Sequence, residues 1–168
     1  MKTNIVLCGF MGSGKTTLGR ALAQELGYGF ADMDQAVEEK SGASPCQWIQ
    51  QGREAELRRW EGLLSAELSE RERLVIATGG GVFTREENGR KLSATGRVIL
   101  LRRRMDLVYP VISADPNRPL AYGKTREELE KLEKARLPLW EKYADLCFWN
   151  NGEPEGALRE LWLLLDLG

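Results

Sequence analysis

Gly9-Phe10-Met11-Gly12-Ser13-Gly14-Lys15-Thr16 is the segment from which the fold can be worked out. It satisfies G-x-x-x-x-G-K-[ST], follows the strand-like run Ile5-Val6-Leu7-Cys8, and opens a helical pattern, Lys15 to Leu26, that stops at Gly27. Glycines let such a loop wrap its amides inward around a phosphate, and the helix N-terminus adds partial positive charge. In that setting Lys15 bridges the β- and γ-phosphates of ATP and the Thr16 hydroxyl ligands Mg²⁺, with Gly12, Ser13, Gly14 and Thr17 completing the nucleotide contacts. A glycine-rich turn that binds no nucleotide is the competing interpretation of the same residues.

Outward from this loop, short aliphatic runs alternate with helical patterns, the order expected of βαβ units and a parallel sheet. The expected strands are Ile5 to Gly9, Gly29 to Asp32, Leu74 to Ala77, Val98 to Leu101 and Leu146 to Trp149, giving an α/β fold with a five-stranded parallel sheet sandwiched by helices. Ser44-Pro45 reads as an N-cap and first-turn proline, and Thr84 and Thr125, each followed three residues on by glutamate, read as capping boxes. Ser113 to Lys124, rich in Pro, Gly, Asn and Asp, predicts a surface lid. The stripe Leu158, Leu161, Trp162 and Leu165 predicts a final helix packed on the sheet.

At 168 residues the chain suffices for one domain spanning 1–168. It contains no histidine, which excludes a Ser-His dyad, a histidine base and a histidine-ligated zinc. With 24 basic and 25 acidic residues it carries no net field suited to nucleic acid, and it offers no apolar run of membrane-spanning length. Cys8, Cys46 and Cys147 are odd in number, lack C-x-x-C spacing and read as buried thiols of a cytoplasmic protein.

The acidic partner usual for a phosphate loop is missing after Leu74-Val75-Ile76-Ala77, where Thr78 follows instead. Asp32-Met33-Asp34 ends the second strand, so these carboxylates are expected at the ligand edge of the sheet; the alternative is that they cap the next helix, with Asp34 as N-cap. Gly79-Gly80-Gly81 ends the third strand and permits close approach to a bound group, or is simply a turn. Arg58, Arg118 and Arg136 suit a carboxylate or a transferring phosphoryl group, although each alone also suits a solvated surface, the interpretation given to Arg102, Arg103 and Arg104. The five tryptophans, Trp48, Trp60, Trp140, Trp149 and Trp162, read as core or pocket wall.

The phosphate loop, Asp32-x-Asp34, Arg58-x-x-Glu61, the triple glycine, Arg118-Pro119-Leu120 and Arg136-x-Pro138 together resemble the shikimate kinase family in order and spacing, over nearly the whole chain. The resemblance implies a P-loop kinase similar in fold to nucleoside monophosphate kinases, with a substrate-binding helical region over 33–61 and a lid over 112–124. It also implies ATP-dependent phosphorylation of the shikimate 3-hydroxyl, on the route to chorismate and the aromatic amino acids; a monomer is expected. Asp34, Arg58, Gly79, Gly80, Gly81 and Arg136 would contact shikimate; Asp32 and Thr16 would support Mg²⁺. Lys15, Asp34 and Arg118 would be the catalytic groups, Arg118 also meeting the nucleotide. The chain departs from the family in Leu57 before Arg58, in Trp140, and in lacking a second lid arginine ahead of Arg118, which leaves the adenine contact unassigned. A kinase of another hydroxy acid such as gluconate, or a nucleotide-binding module without catalysis, are the rival functions.

Overall fold

The computed structural model describes residues 1–166 and contains five parallel strands in the order β2-β3-β1-β4-β5. In chain order these are β1 (Asn4–Gly9), β2 (Gly29–Asp32), β3 (Leu74–Ala77), β4 (Gly96–Arg102) and β5 (Leu146–Trp149). The helices are α1 (Lys15–Leu26), α2 (Met33–Ser41), α3 (Pro45–Gln50), α4 (Glu54–Ser69), α5 (Glu86–Thr95), α6 (Met105–Ile112), α7 (Arg126–Glu141) and α8 (Pro154–Leu164).

β1 is buried throughout, and its alternation divides the core into two layers. Val6 and Cys8 share one face with Ile76, Val98 and Leu100, covered by Leu57, Leu64 and Leu68 of α4, Leu92 of α5 and Trp140 of α7. Ile5 and Leu7 share the other with Val75, Ile99 and Leu101, covered by Leu18 and Leu22 of α1 and by Ala157 and Leu161 of α8. Each fully buried leucine contributes about 1.5–3 kcal/mol by leaving water. The register Ile5↔Val75 and Ile5↔Arg97 sets β1 between β3 and β4, so the strand order reverses at β1 and a crevice opens beyond its carboxyl end. The P-loop emerges at that point.

Most sequence punctuation is realised. Gly27 ends α1 in the left-handed region at φ 65°, and both Ser44 with Gln47 and Thr125 with Glu128 form complete capping boxes. Thr84 is the exception: its hydroxyl donates to the Gly81 carbonyl, and α5 begins at Glu86 without a side-chain cap. A 3-10 turn over Val82–Thr84 captures the threonine before the helix can use it.

Two expectations about burial need correction. Cys8 is buried, but Cys46 is half-buried and Cys147 exposed. Trp149 is 48% exposed, with the Arg102 guanidinium stacked over its ring at 4.4 Å. Cys147 and Trp149 both lie on β5, an edge strand on which Phe148 faces α8 while these two point away from that core. Among the described residues no helix is long and apolar enough to cross a membrane.

Candidate active site

The P-loop backbone is set by its glycines. Gly9 has φ 139° and a side chain there would strike the Leu101 carbonyl, while Gly14 has φ 94°. Gly14 caps α1 without a side-chain bond, leaving first-turn amides available to an anion. Lys15 Nζ donates to the carbonyls of Gly9 and Phe10, each at 2.8 Å. Burial lowers the Lys15 pKa to about 8, against the pull of Asp34.

Asp32, not Asp34, is the N-cap of α2. One Asp32 carboxylate oxygen accepts from the Asp34 and Gln35 amides at 2.9 and 3.2 Å; the other accepts from the Thr16 hydroxyl at 2.8 Å. Asp34 is thereby free of capping duty. Its carboxylate is open to cleft water, yet the protein crowded around it limits its solvation. That desolvation and the neighbouring Asp32 push its pKa up, opposed by Lys15, Arg118 and Arg58.

Two of the cavities that Asp34 borders hold the P-loop and the predicted substrate groups. One, of about 310 Å³, is lined by Lys15, Thr16, Asp32, Asp34, Gly79 and Arg118. The other, of about 130 Å³, is lined by Asp34, Arg58, Gly80, Gly81, Arg118 and Arg136. Asp34 and Arg118 border both, a carboxylate and a guanidinium at the junction of an anion site and a second cationic pocket. Arg118 Nε lies 3.2 Å from Asp115, inside a loop closed at its base by the Gly123 amide on the Ser113 carbonyl.

The second pocket is held by a buried charge network. Glu61, 2% exposed, accepts from Arg58 Nη1 at 2.9 and 2.8 Å, and Glu54 takes Nη2 at 2.7 Å. Burial opposes the Arg58 charge, but the two glutamates more than offset it and hold its pKa above the ordinary value. Among the described residues Arg136 has no such ion pair. Burial and repulsion from Arg58 lower its pKa, so an anion between the two guanidiniums would relieve both. Glu61, absent from the expected site residues, was findable as the acidic residue one helical turn after Arg58.

The triple glycine serves these side chains. A β-carbon at Gly79 would lie 2.5 Å from Asp34 Oδ1, one at Gly80 3.1 Å from Arg136 Nη1, and one at Gly81 1.9 Å from Arg58 Nη1. The turn is the floor against which all three functional side chains rest.

A third cavity, of about 240 Å³, flanks the P-loop. Thr17, Leu18, Arg103, Asn150, Pro154 and Leu158 form a wall more apolar than that of the other two. Arg103 was read as a surface arginine; it is half-buried, and its Nη1 donates to the Asn150 carbonyl at 3.0 Å. Its place just after β4, at the ligand edge of the sheet, was the available signal. Ser13 lines none of the three cavities; it is buried, and its amide donates to Phe10.

A glycine-rich anion loop at the switch point of a parallel sheet, beside a carboxylate and a cationic pocket, defines a P-loop kinase of small molecules. The shikimate kinase family model matches residues 11–164. A shikimate kinase of Actinobacillus pleuropneumoniae is 43% identical over 148 residues, 86% of this chain and 84% of that protein. One of Thermodesulfovibrio yellowstonii is 37% identical over 150 residues, 89% and 86% of the two chains. The Acinetobacter baumannii shikimate kinase, solved in complex with shikimate, superposes with a TM-score of 0.89 at 36% identity, covering 99% of this chain and 94% of that one. The chain belongs to the shikimate kinase family, ATP-dependent kinases of a small molecule. A gluconokinase of Sinorhizobium meliloti, at 16% identity and a TM-score of 0.54, shares the fold alone.

Proposed function

We propose that this chain transfers the γ-phosphoryl group of ATP to the 3-hydroxyl of shikimate, with the triphosphate in the cavity lined by Lys15 and Thr16 and shikimate in the cationic pocket. The observation that carries the assignment is Asp34 on the border of the two cavities. From there it orients the attacking hydroxyl and accepts its proton, and a pKa raised by poor solvation makes it a better base than an ordinary aspartate.

Arg58 and Arg136 clamp the shikimate carboxylate, and Asp34 and the Gly79–Gly81 backbone hold its hydroxyls. Lys15 and Arg118 neutralise the phosphoryl group in flight, while the loop amides and Thr17 hold the chain of phosphates. The third cavity takes the nucleoside, its apolar wall and Pro154 suiting a base, with Arg103 in the place of the missing second lid arginine.

Thr16 and Asp32, 2.8 Å apart, present hard oxygens of the kind Mg²⁺ prefers. When bound, Mg²⁺ supplies charge neutralisation to the phosphates.

The free cysteines suit a cytoplasmic protein. The residue roles are tested by two variants. Asp34→Asn should retain ADP and shikimate binding while losing about 10²–10⁴ in kcat. Arg136→Ala should weaken shikimate binding with little effect on ADP. A near-normal rate for the first, or equal losses for both ligands in the second, refutes the assignment.

A further inference from the structure

Asn150, the residue that follows β5, is tied to the P-loop from behind. It is 6% exposed, and its Nδ2 donates to the Ser13 carbonyl at 2.9 Å. Its backbone is fixed independently: its amide donates to the Arg102 carbonyl at 2.7 Å, and its carbonyl accepts from Arg103. A β-carbon at Gly14 would come within 2.4 Å of Nδ2, so the side chain fills the space that glycine leaves.

The chemistry of one peptide unit gives this contact its meaning. The Ser13–Gly14 bond is trans, so the Ser13 carbonyl and the Gly14 N–H lie in one plane and point in opposite directions. A donor that holds the carbonyl on the outer side aims the N–H to the inner side, where Gly14 lines the phosphate cavity. Lys15 holds Gly9 and Phe10 by their carbonyls in the same loop. Without Asn150 the Ser13 carbonyl loses the side-chain donor that orients this peptide.

We propose that Asn150 is a positioning residue for the nucleotide, presetting the Gly14 amide to meet phosphate by holding the Ser13 carbonyl. The proposal rests on the assignment of ATP to the P-loop. Asn150→Ala removes the donor; Asn150→Leu removes it while keeping the branched shape of the side chain.

Calorimetric titration of the full chain with ADP and, separately, with shikimate reads the effect. In both variants ADP should bind about 10- to 100-fold more weakly, the scale of one hydrogen bond serving a charged group, with shikimate affinity within twofold of wild type. In ¹H–¹⁵N spectra the Gly14 amide proton should move strongly downfield with ADP in the wild type and much less in Asn150→Leu. ADP affinity within twofold of wild type in either folded variant overturns the proposal, as do parallel losses for ADP and shikimate. Failure of both variants to fold overturns it as well, since Asn150 would then be structural. A wild-type chain that does not bind ADP refutes the nucleotide assignment itself, whereas tight wild-type binding with unchanged variants refutes only the role of Asn150.

Discussion

Alanine at each of the three glycines in turn should produce three different kinetic defects, because each supports a different side chain. None of the three has a positive φ, so alanine is compatible with the backbone and the substitution reports on contact alone. At Gly81 the new methyl would sit 1.9 Å from Arg58 Nη1 and 2.3 Å from Cζ. Normal van der Waals separation requires the guanidinium to retreat by roughly 1.5 Å. Glu61 holds Arg58 at 2.8 Å, so the retreat breaks either that pair or the grip on the substrate carboxylate. Loss of one hydrogen bond to a charged group, about 1.5–3 kcal/mol, predicts a KM for shikimate raised about 10- to 150-fold in Gly81→Ala. At Gly79 the methyl would lie 2.5 Å from Asp34 Oδ1 and push the base roughly 1 Å, so Gly79→Ala should lose about 100-fold in kcat and keep its KM. Gly80→Ala, 3.1 Å from Arg136 Nη1, asks for a few tenths of an ångström and should stay within about threefold of wild type. Steady-state ADP release against shikimate concentration separates these outcomes. An unchanged KM in Gly81→Ala, or the same loss of kcat in all three, would refute the claim that the turn is a floor for Asp34, Arg136 and Arg58.

Arg103→Ala should raise the KM for ATP about 3- to 5-fold, the worth of one exposed cation–π contact, and leave that for shikimate unchanged; steady-state kinetics at saturating second substrate checks it. Iodoacetamide on the native protein at pH 9 should label Cys147 and Cys46 but not Cys8, as mass spectrometry of the peptides would show. Burial pushes the Cys8 thiol up to about 12, so raising the pH to 9 leaves it protonated as well as inaccessible. Cys46 lines the cationic pocket, and saturating shikimate should slow its labelling.

The fold was legible because its signals are local. The P-loop follows a buried β-branched strand, and five short apolar runs between capped helices leave little choice but a parallel sheet. The substrate arginines were legible only through their joint resemblance to a family, since a single arginine in a helix carries no signature. What stayed hidden depends on packing across the sheet. That Trp149 and Cys147 face outward follows from β5 being an edge, a property of strand order and not of the residues themselves. That Asp32 rather than Asp34 caps α2 depends on two residues of register at the helix start. Asn150 lies 137 positions from Ser13, and nothing in either neighbourhood announces their meeting.

The most direct test of the whole account is coupled ADP release by the purified chain with ATP and Mg²⁺, in the presence of shikimate, quinate or gluconate. ADP release that depends on shikimate, and a product phosphorylated at the 3-hydroxyl, is the predicted result. Release that ignores shikimate, or that responds to gluconate instead, would contradict it.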